Sequence, residues 1–167
     1  VREAFQIAAS GRPGPVVVDI PKDIQSAEVE YEPSRSKLSE IKEKKYFNLD
    51  EYGDNFNKAI DMINRSERPV IYSGGGTVIS GAQDELIEFV EKIDSPITCS
   101  LMGIGAFPGN NEYYMGMIGM HGSRCSNYAV SNCDLLIAIG ARFSDRVISK
   151  VSAFAPKAKI IHIDIDP

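Results

Sequence analysis

Four short apolar runs constrain the fold of this chain more than any other feature of its sequence. They are PVIYS (69–73), PITCS (96–100), DLLIAIG (134–140) and KIIHIDI (159–165). Continuous apolar runs of this length are typical of strands that are buried on both faces of a parallel sheet. Segments with helical spacing lie between them, so strands alternate with helices. The pattern predicts an α/β fold, a parallel sheet with helices on both faces, of the Rossmann-like type.

The predicted helices follow from apolar residues that recur every three or four positions. This spacing occurs between residues 56 and 63 and again between 86 and 93, which predicts two amphipathic helices. A third helix is predicted through residues 129 and 130. Residues 115–118 form a short apolar piece, and residues 141–149 are predicted to be a polar loop or a short helix.

The beginning of the chain has a separate pattern. Residues 2–10 predict a helix, and Gly11 is a typical stop just beyond it. The β-branched run at 15–20 predicts a buried strand, which Pro21 ends. Because the chain starts inside a helical pattern and stops in an unfinished loop, we interpret it as part of a longer protein.

A change in composition divides the chain. Residues 26–54 are rich in glutamate and lysine and poor in apolar side chains, which is typical of a solvated linker. We therefore predict three parts: residues 1–25, a linker at 26–54 and a domain at 55–167.

Composition excludes several classes of protein. With 18 basic and 23 acidic residues, the net charge of −5 gives no footprint for nucleic acid or an anionic membrane. No apolar run approaches the roughly 20 residues of a membrane span. The 3 cysteines form no C-x-x-C pair, which argues against a zinc site and favours reduced thiols in a cytoplasmic protein.

The residues that follow the predicted strands are the candidates for binding a ligand. In an open α/β sheet, ligands bind beyond the carboxyl ends of the strands. Glycines there allow close backbone approach, arginines match phosphate, and carboxylates can accept hydrogen bonds from ribose. The sequence therefore favours a phosphate-containing ligand with a ribose. The residues are Gly74, Gly75, Gly76, Thr77, Leu101, Met102, Gly103, Gly140, Ala141, Arg142, Phe143, Ser144, Asp145, Arg146, Asp164 and Asp166.

The triple glycine at 74–76 fits neither common phosphate-binding motif. A G-x-G-x-x-G pattern starting at Gly74 fails because its sixth position is Ile79. A P-loop fails because Ala82 stands where the lysine is required. Two interpretations remain. The turn either presents backbone N–H groups and a helix start to a phosphate, or it is a tight turn that needs positive φ.

Each other candidate also has a simpler structural interpretation. Arg142 and Arg146 could pair with Asp145 instead of a phosphate, and Asp164 could cap a helix. A lone histidine such as His121 is more often structural than functional. The methionines between positions 102 and 120 fit either ordinary core packing or a wall against a flat aromatic ring. The sequence has no nucleophile elbow, metalloprotease motif or other recognisable catalytic pair.

Six segments, in this order and spacing, resemble the acetohydroxyacid (acetolactate) synthase large catalytic subunit. The resemblance implies a middle domain of DHS-like NAD/FAD-binding type, preceded at 1–25 by the tail end of the domain that binds the pyrimidine of thiamine diphosphate. The segments are GRPGPVVVDIPKD (11–23), SGGG (73–76), SLMGIGAFPG (100–109), GMHG (119–122), GARFSDR (140–146) and HIDIDP (162–167).

The resemblance also implies which residues contact FAD. Lys22 and Arg146 resemble residues of the substrate channel, while no catalytic or metal-binding residue is implied in this chain. Ser144 departs from the family, in which many members have Asp. The implied FAD-binding residues are Arg12, Gly74, Gly75, Gly76, Ser100, Leu101, Gly119, Met120, His121, Gly140, Ala141, Arg142, Phe143, Ser144, Asp164 and Ile165.

For the whole enzyme, the resemblance implies condensation of two pyruvates, or of pyruvate and 2-oxobutyrate, in branched-chain amino-acid biosynthesis. Thiamine diphosphate and Mg²⁺ would bind outside this chain. A homodimer or tetramer and a small regulatory subunit are implied, with no nucleic-acid or membrane partner. The chain alone is expected to be inactive and to bind FAD weakly or not at all. The alternatives are glyoxylate carboligase, pyruvate oxidase, an FAD-free catabolic acetolactate synthase, or a non-catalytic nucleotide-binding or structural module.

Overall fold

The computed structural model describes residues 1–30 and 49–166. The chain forms two compact units, of which one comprises residues 1–51 with Asp166 and the other comprises residues 52–165. We call them the N-terminal unit and the sheet unit. Residues 31–48, most of the predicted linker, lie outside the described residues. The predicted division into domains at 25 and 55 stays a prediction.

The N-terminal unit contains two short helices, α1 (Arg2–Ala9) and α2 (Lys22–Ser26). Gly11 follows α1 with φ of 54°, so the predicted stop is confirmed. The strand predicted at 15–20 is wrong, since this stretch pairs with no strand in the described part of the chain and Val17 is 90% exposed. A β-branched run gains little from extended backbone unless a neighbouring strand accepts its hydrogen bonds.

The sheet unit alternates strands and helices, as the sequence predicts. Two single turns of 3-10 helix, at Leu101–Gly103 and Val151–Ala153, lie in its loops. Its elements are α3 (Leu49–Arg65, in this unit from Tyr52 onward), β1 (Pro69–Ser73), α4 (Gly75–Ser80), α5 (Gln83–Ile93), β2 (Ile97–Cys99), β3 (Tyr114–Met117), α6 (Arg124–Asn132), β4 (Leu135–Ile139), α7 (Asp145–Ile148) and β5 (Lys159–Ile163).

The five strands form one parallel sheet in the order β3-β2-β1-β4-β5. Ile71 in the central strand β1 lies beside Ile97 of β2 and Ile137 of β4. The chain builds outward from β1 to β3 and then crosses to β4 on the other side. The strand order therefore reverses at β1, which is where open α/β sheets bind ligands. The predicted fold class is confirmed.

Each face of the sheet is covered by its own apolar core, because successive strand residues point to opposite faces. The first face packs against helices α3 and α5, and the second packs against α6 and the chain around Phe154. This explains why the strand sequences are apolar without alternation. Buried residues of the first core include Ile71, Leu86, Val90, Ile97, Leu135 and Ile137, and those of the second include Val70, Tyr72, Val130, Leu136 and Ala138.

Two further elements, β3 and α3, differ from the predictions. β3 was predicted only as an apolar piece, since its sequence is short and contains Gly116, which has φ of 87° and lies where the register with β2 is irregular. Helix α3 begins at Leu49, before the expected start near residue 53, so it takes up the end of the predicted linker. The sequence at this helix start is acidic and has no apolar periodicity, so it gives no hydrophobic signal for a helix.

A carboxylate stabilises the end of the sheet at which its parallel strands begin, which we call the amino edge. The Asp134 side chain, just before β4, accepts hydrogen bonds from Ser66 Oγ, from the Glu67 N–H at 2.8 Å and from the Arg68 N–H at 3.0 Å. These bonds stabilise the charged form, and the one from Ser66 contributes most, so they lower the pKa of Asp134. They tie the loop between α3 and β1 to the start of β4.

Candidate functional site

The predicted site residues of the sheet unit gather at one edge. Because all five strands are parallel, the segments that follow them lie at the carboxyl edge of the sheet. This brings together the segments 74–76, 100–101, 119–121, 140–144 and 164–165. Arg12 and Lys22 belong to the N-terminal unit. There, Arg12 Nη1 lies 3.1 Å from Asp166 Oδ2, and Lys22 is the exposed first residue of α2.

The glycine triplet allows the loops after β1 and β4 to touch. A Cβ on Gly74 would lie 2.2 Å from the carbonyl oxygen of Gly140, and one on Gly76 would lie 2.7 Å from the Cα of Gly140. None of the three glycines has positive φ, so the tight-turn interpretation is wrong. Close backbone approach is the reason for glycine at these positions.

The backbone donors of this turn are already engaged within the protein. The N–H of Gly74 donates to Ile139 O and the N–H of Gly76 donates to Gly140 O, both at 2.9 Å. Helix α4 has only 6 residues, so its dipole is small. The expectation that this turn offers N–H groups to a phosphate is therefore wrong for Gly74 and Gly76. Gly74 is buried against the loop after β4, while Gly75 and Gly76 are half-buried and carry no side chain that would cover the backbone.

Two buried hydroxyl groups stabilise the contact between the loops after β1 and β4. Ser73 Oγ donates to Thr77 Oγ1 at 3.2 Å, and Thr77 Oγ1 donates to Ile139 O at 3.2 Å. Both side chains are almost completely buried. This relay joins the end of β1, the first turn of α4 and the end of β4, and it fixes the spacing of the two loops.

Aromatic side chains that pack against the loop after β4 hold it in place. Tyr72 Oη donates to the carbonyl of Arg142 at 3.2 Å, and His162 Nε2 lies 3.0 Å from the carbonyl oxygen of Ala141. The ring of Phe143 contacts those of Tyr72, Phe154 and His162, with centroids 5.1 to 6.1 Å apart. Burial, the largest cause, raises the pKa of Tyr72 to about 12, so it remains a donor.

Arg142 is exposed on this anchored loop. Among the described residues, no carboxylate forms an ion pair with Arg142 or Arg146, so the simpler interpretation of a surface pair with Asp145 is wrong. Ser144 directly precedes α7, and its carbonyl, not its side chain, accepts the N–H groups of the helix. This edge thus presents the guanidinium of Arg142 with no ion-pair partner in the part of the chain that the structure describes.

Apolar side chains border the glycine surface. Leu101 is 68% exposed and Met102 is 75% exposed, and a Cβ on Gly75 would meet Met102 Cβ at 3.0 Å. Ser100 Oγ accepts the Gly103 N–H at 3.1 Å and so begins the turn that carries both side chains. The exposed side chains of Leu101 and Met102, next to the backbone of Gly75, can contact an aromatic ring.

The segment after β3 is fixed by Asn127. The Gly119 N–H donates to Asn127 Oδ1 and Asn127 Nδ2 donates to Gly119 O, both at 3.1 Å. Met120 N–H donates to the carbonyl of Arg146 at 3.1 Å, which ties this segment to α7. Gly119 and Met120 border an open cavity of about 250 Å³, whose wall includes Ile118, Val130, Val147 and Phe154. His121 is exposed.

The end of β5 completes the edge. Asp164 Oδ2 lies 3.7 Å from His162 Nε2, and its side chain is 15% exposed. Ile165 is 67% exposed. A carboxylate in this position can accept hydrogen bonds from ribose hydroxyls, as the sequence predicts.

Most of the residues that hold this edge together were not predicted. Tyr72 and Ser73 look like core strand residues and Asn127 like a surface polar residue, while Thr77 was predicted only as a candidate for binding a ligand. A polar side chain within a run that should be fully apolar was the available signal for Tyr72, Ser73 and His162.

No group of three or more His, Cys, Asp and Glu side chains in the described residues is arranged to hold a metal. No helix in the described ranges is long and apolar enough to cross a membrane.

Comparison with known proteins places the chain in a family. Residues 56–167 match the family model of the thiamine pyrophosphate enzyme central domain. The chain is 49% identical over 170 residues to a probable acetolactate synthase large subunit of Methanocaldococcus jannaschii, covering 99% of this chain and 28% of the relative.

Two other similar proteins are also named acetolactate synthases. The chain is 47% identical to the acetolactate synthase isozyme 2 large subunit of Escherichia coli K12, covering 99% of this chain and 29% of the relative. It is 48% identical to a probable chloroplastic acetolactate synthase 2 of rice, covering 100% of this chain and 25% of the relative. The chain thus spans less than a third of the length of these relatives.

Proposed function

Because this chain belongs to the thiamine pyrophosphate enzymes, whose central domain it matches, we propose that it is part of an acetolactate synthase large subunit and that its sheet unit binds FAD. Similarity over nearly the whole chain to proteins of that name supports the first part. The alternatives within the thiamine enzymes have no comparable support.

One observation carries the proposal of a dinucleotide site. At the reversal of strand order, the loops after β1 and β4 touch through Gly74 and Gly140, and the exposed Arg142 stands beside them without a carboxylate partner in the described residues. A glycine backbone without side chains, a guanidinium and a carboxylate at Asp164 suit the phosphates and ribose of a dinucleotide. The exposed Leu101 and Met102 suit its flat ring.

We assign roles in FAD binding accordingly. Arg142 would bind phosphate oxygens, Asp164 the ribose and Met102 the flavin, while Gly74, Gly75 and Gly76 would let the cofactor approach the backbone. Arg12 remains a proposed FAD contact, and Lys22 and Arg146 remain proposed channel residues. The other proposed contacts are Ser100, Leu101, Gly119, Met120, His121, Gly140, Ala141, Phe143, Ser144 and Ile165.

The proposed reaction of the whole enzyme joins two molecules of pyruvate into acetolactate and releases one CO₂. When bound, thiamine diphosphate, held with Mg²⁺, would supply the carbon nucleophile for this chemistry. The reaction involves no net oxidation or reduction, so we assign FAD a structural role. A dimer or tetramer, a small regulatory subunit and a cytoplasmic location stay predictions.

Flavin binding and carboligation test the proposal separately. The intact protein, as its gene encodes it, is titrated with FAD by fluorescence quenching and then assayed for acetolactate from pyruvate. Arg142→Ala should weaken FAD binding about tenfold or more, since charge-assisted bonds to phosphate contribute roughly 1.5–3 kcal/mol each. The matched control is Arg65→Ala, which removes an exposed arginine at the other edge of the sheet and should leave FAD affinity unchanged. Absence of FAD binding would refute the cofactor, and absence of acetolactate would refute the activity.

A further inference from the structure

The backbone on both sides of Arg142 is held by a side chain from a different strand. The peptide between Ala141 and Arg142 accepts a hydrogen bond from His162 of β5, and the peptide between Arg142 and Phe143 accepts one from Tyr72 of β1. A carbonyl oxygen can only accept, so His162 Nε2 carries the proton here. The two peptide planes meet at the Cα of Arg142, so fixing both fixes its φ and ψ.

The next residue adds a third restraint. Phe143 lies tilted against Tyr72 at 57° and nearly edge-on to His162 at 72° and to Phe154 at 78°. These geometries are favourable for aromatic pairs. The same two side chains that hold the carbonyls thus also hold the neighbouring ring.

Neither polar group is explained by core packing. A phenylalanine would fill the space of the buried Tyr72, so core packing does not require its hydroxyl, which donates to Arg142 O and also interacts with the side chain of Ser100. The side chain of His162 is 42% exposed on the edge strand β5, where an apolar residue or any surface residue would fit. What the two side chains have in common is a hydrogen bond to consecutive carbonyls of one loop; His162 Nε2 also lies 3.7 Å from Asp164 Oδ2.

We propose that Tyr72 and His162 are positioning residues that fix the backbone of Arg142, so that its guanidinium is held in place to bind the phosphates of the cofactor. This rests on the proposed function for the cofactor, but not for the anchoring itself. A loop that is already ordered loses less conformational entropy when the ligand binds, which increases affinity.

Hydrogen–deuterium exchange of the intact protein, without any ligand, tests the anchoring. Tyr72→Phe and His162→Leu each remove one donor and should speed exchange of the hydrogen-bonded amides that flank the loop, those of Gly140, Val147 and Ile148, severalfold. His162→Gln places an amide N–H where Nε2 lies and should restore slow exchange. Tyr114→Phe is the matched control, since the hydroxyl of Tyr114 contacts Cys99 Sγ instead of the loop. Unchanged exchange in Tyr72→Phe and His162→Leu overturns the anchoring.

FAD affinity in a double-mutant cycle tests the positioning. Tyr72→Phe and His162→Leu should each raise the Kd for FAD about 2–10-fold, and most of each effect should be lost once Arg142→Ala is present. Equal losses with and without Arg142 would mean a general structural effect and overturn the proposal. A wild-type protein that binds no FAD would refute the cofactor assignment and the positioning with it, while exchange still decides the anchoring.

Discussion

The amino and carboxyl edges of the sheet use their polar groups in different ways. At the amino edge, the carboxylate of Asp134 accepts three hydrogen bonds and closes the loop before β1. At the carboxyl edge, glycine backbones touch, polar side chains hold the loops from below, and Arg142 and Met102 are left exposed. The difference shows that one edge uses its polar groups for the fold, while the other keeps selected side chains available for a ligand.

The largest effect is expected where the two loops of the carboxyl edge touch. Gly74→Ala places a methyl group 2.2 Å from a backbone oxygen, which cannot move as a side chain could. We expect the free energy of unfolding to fall by about 3 kcal/mol, the upper range for overpacking. Urea denaturation measures this. Gly109→Ala, with no atom within 4 Å of the added methyl, is the control and should change stability by less than ~1 kcal/mol.

The amino edge should respond less, and in a pH-dependent way. Asp134→Ala removes the acceptor of three bonds and should lower the free energy of unfolding by about 2 kcal/mol at pH 7, in the range for lost caps. The pKa of Asp134 is lowered in the folded protein, so its contribution is complete above its unfolded pKa.

This contribution disappears as the pH falls through the folded pKa. The stabilities of wild type and Asp134→Ala should therefore converge below about pH 4, the usual range for an aspartate. Asp61→Ala, which removes an exposed carboxylate of a surface ion pair, is the control and should differ little from wild type. A pH-independent gap would show that Asp134 does not act through its charge.

The sequence predicts the buried strands of the sheet better than it predicts the contacts between the loops at the carboxyl edge. Four of the five strands of the sheet unit, all except β3, were predicted because burial on both faces requires unbroken apolar runs. The site glycines were predicted by position, but not their purpose, since contact between loops 66 residues apart in sequence leaves no local pattern. Likewise, the run at 15–20 resembles the true strands, because its sequence cannot show whether a neighbouring strand is present.

A smaller effect should come from the hydroxyl relay beneath the glycines. Thr77→Val keeps the shape but leaves Ser73 Oγ buried without its acceptor, which should cost about 1–2 kcal/mol of unfolding free energy. Replacing both residues, as Ser73→Ala with Thr77→Val, should cost less than the sum of the single changes, because no polar group is then stranded. A strictly additive result from thermal unfolding would contradict the relay.

The smallest effect on stability is expected at Met102. This residue of the carboxyl edge should affect FAD affinity but not folding, unlike Asp134 at the amino edge. Met102→Gln replaces an exposed apolar side chain and should change the free energy of unfolding by less than ~0.5 kcal/mol. If this side chain contacts the flavin, the Kd for FAD should still rise severalfold in the titration. Val151→Gln, an equally exposed apolar residue in another loop, is the control and should leave FAD affinity unchanged.

The contact between Gly74 and Gly140 has a consequence for how this domain can change over evolution. Neither position can gain a side chain unless the opposite backbone retreats, so the two are constrained jointly and should vary little. The exposed side chains at 101, 102 and 142 project from that fixed frame and contribute little to folding. Mutation can therefore explore new ligands at those three positions while the frame that presents them is inherited unchanged.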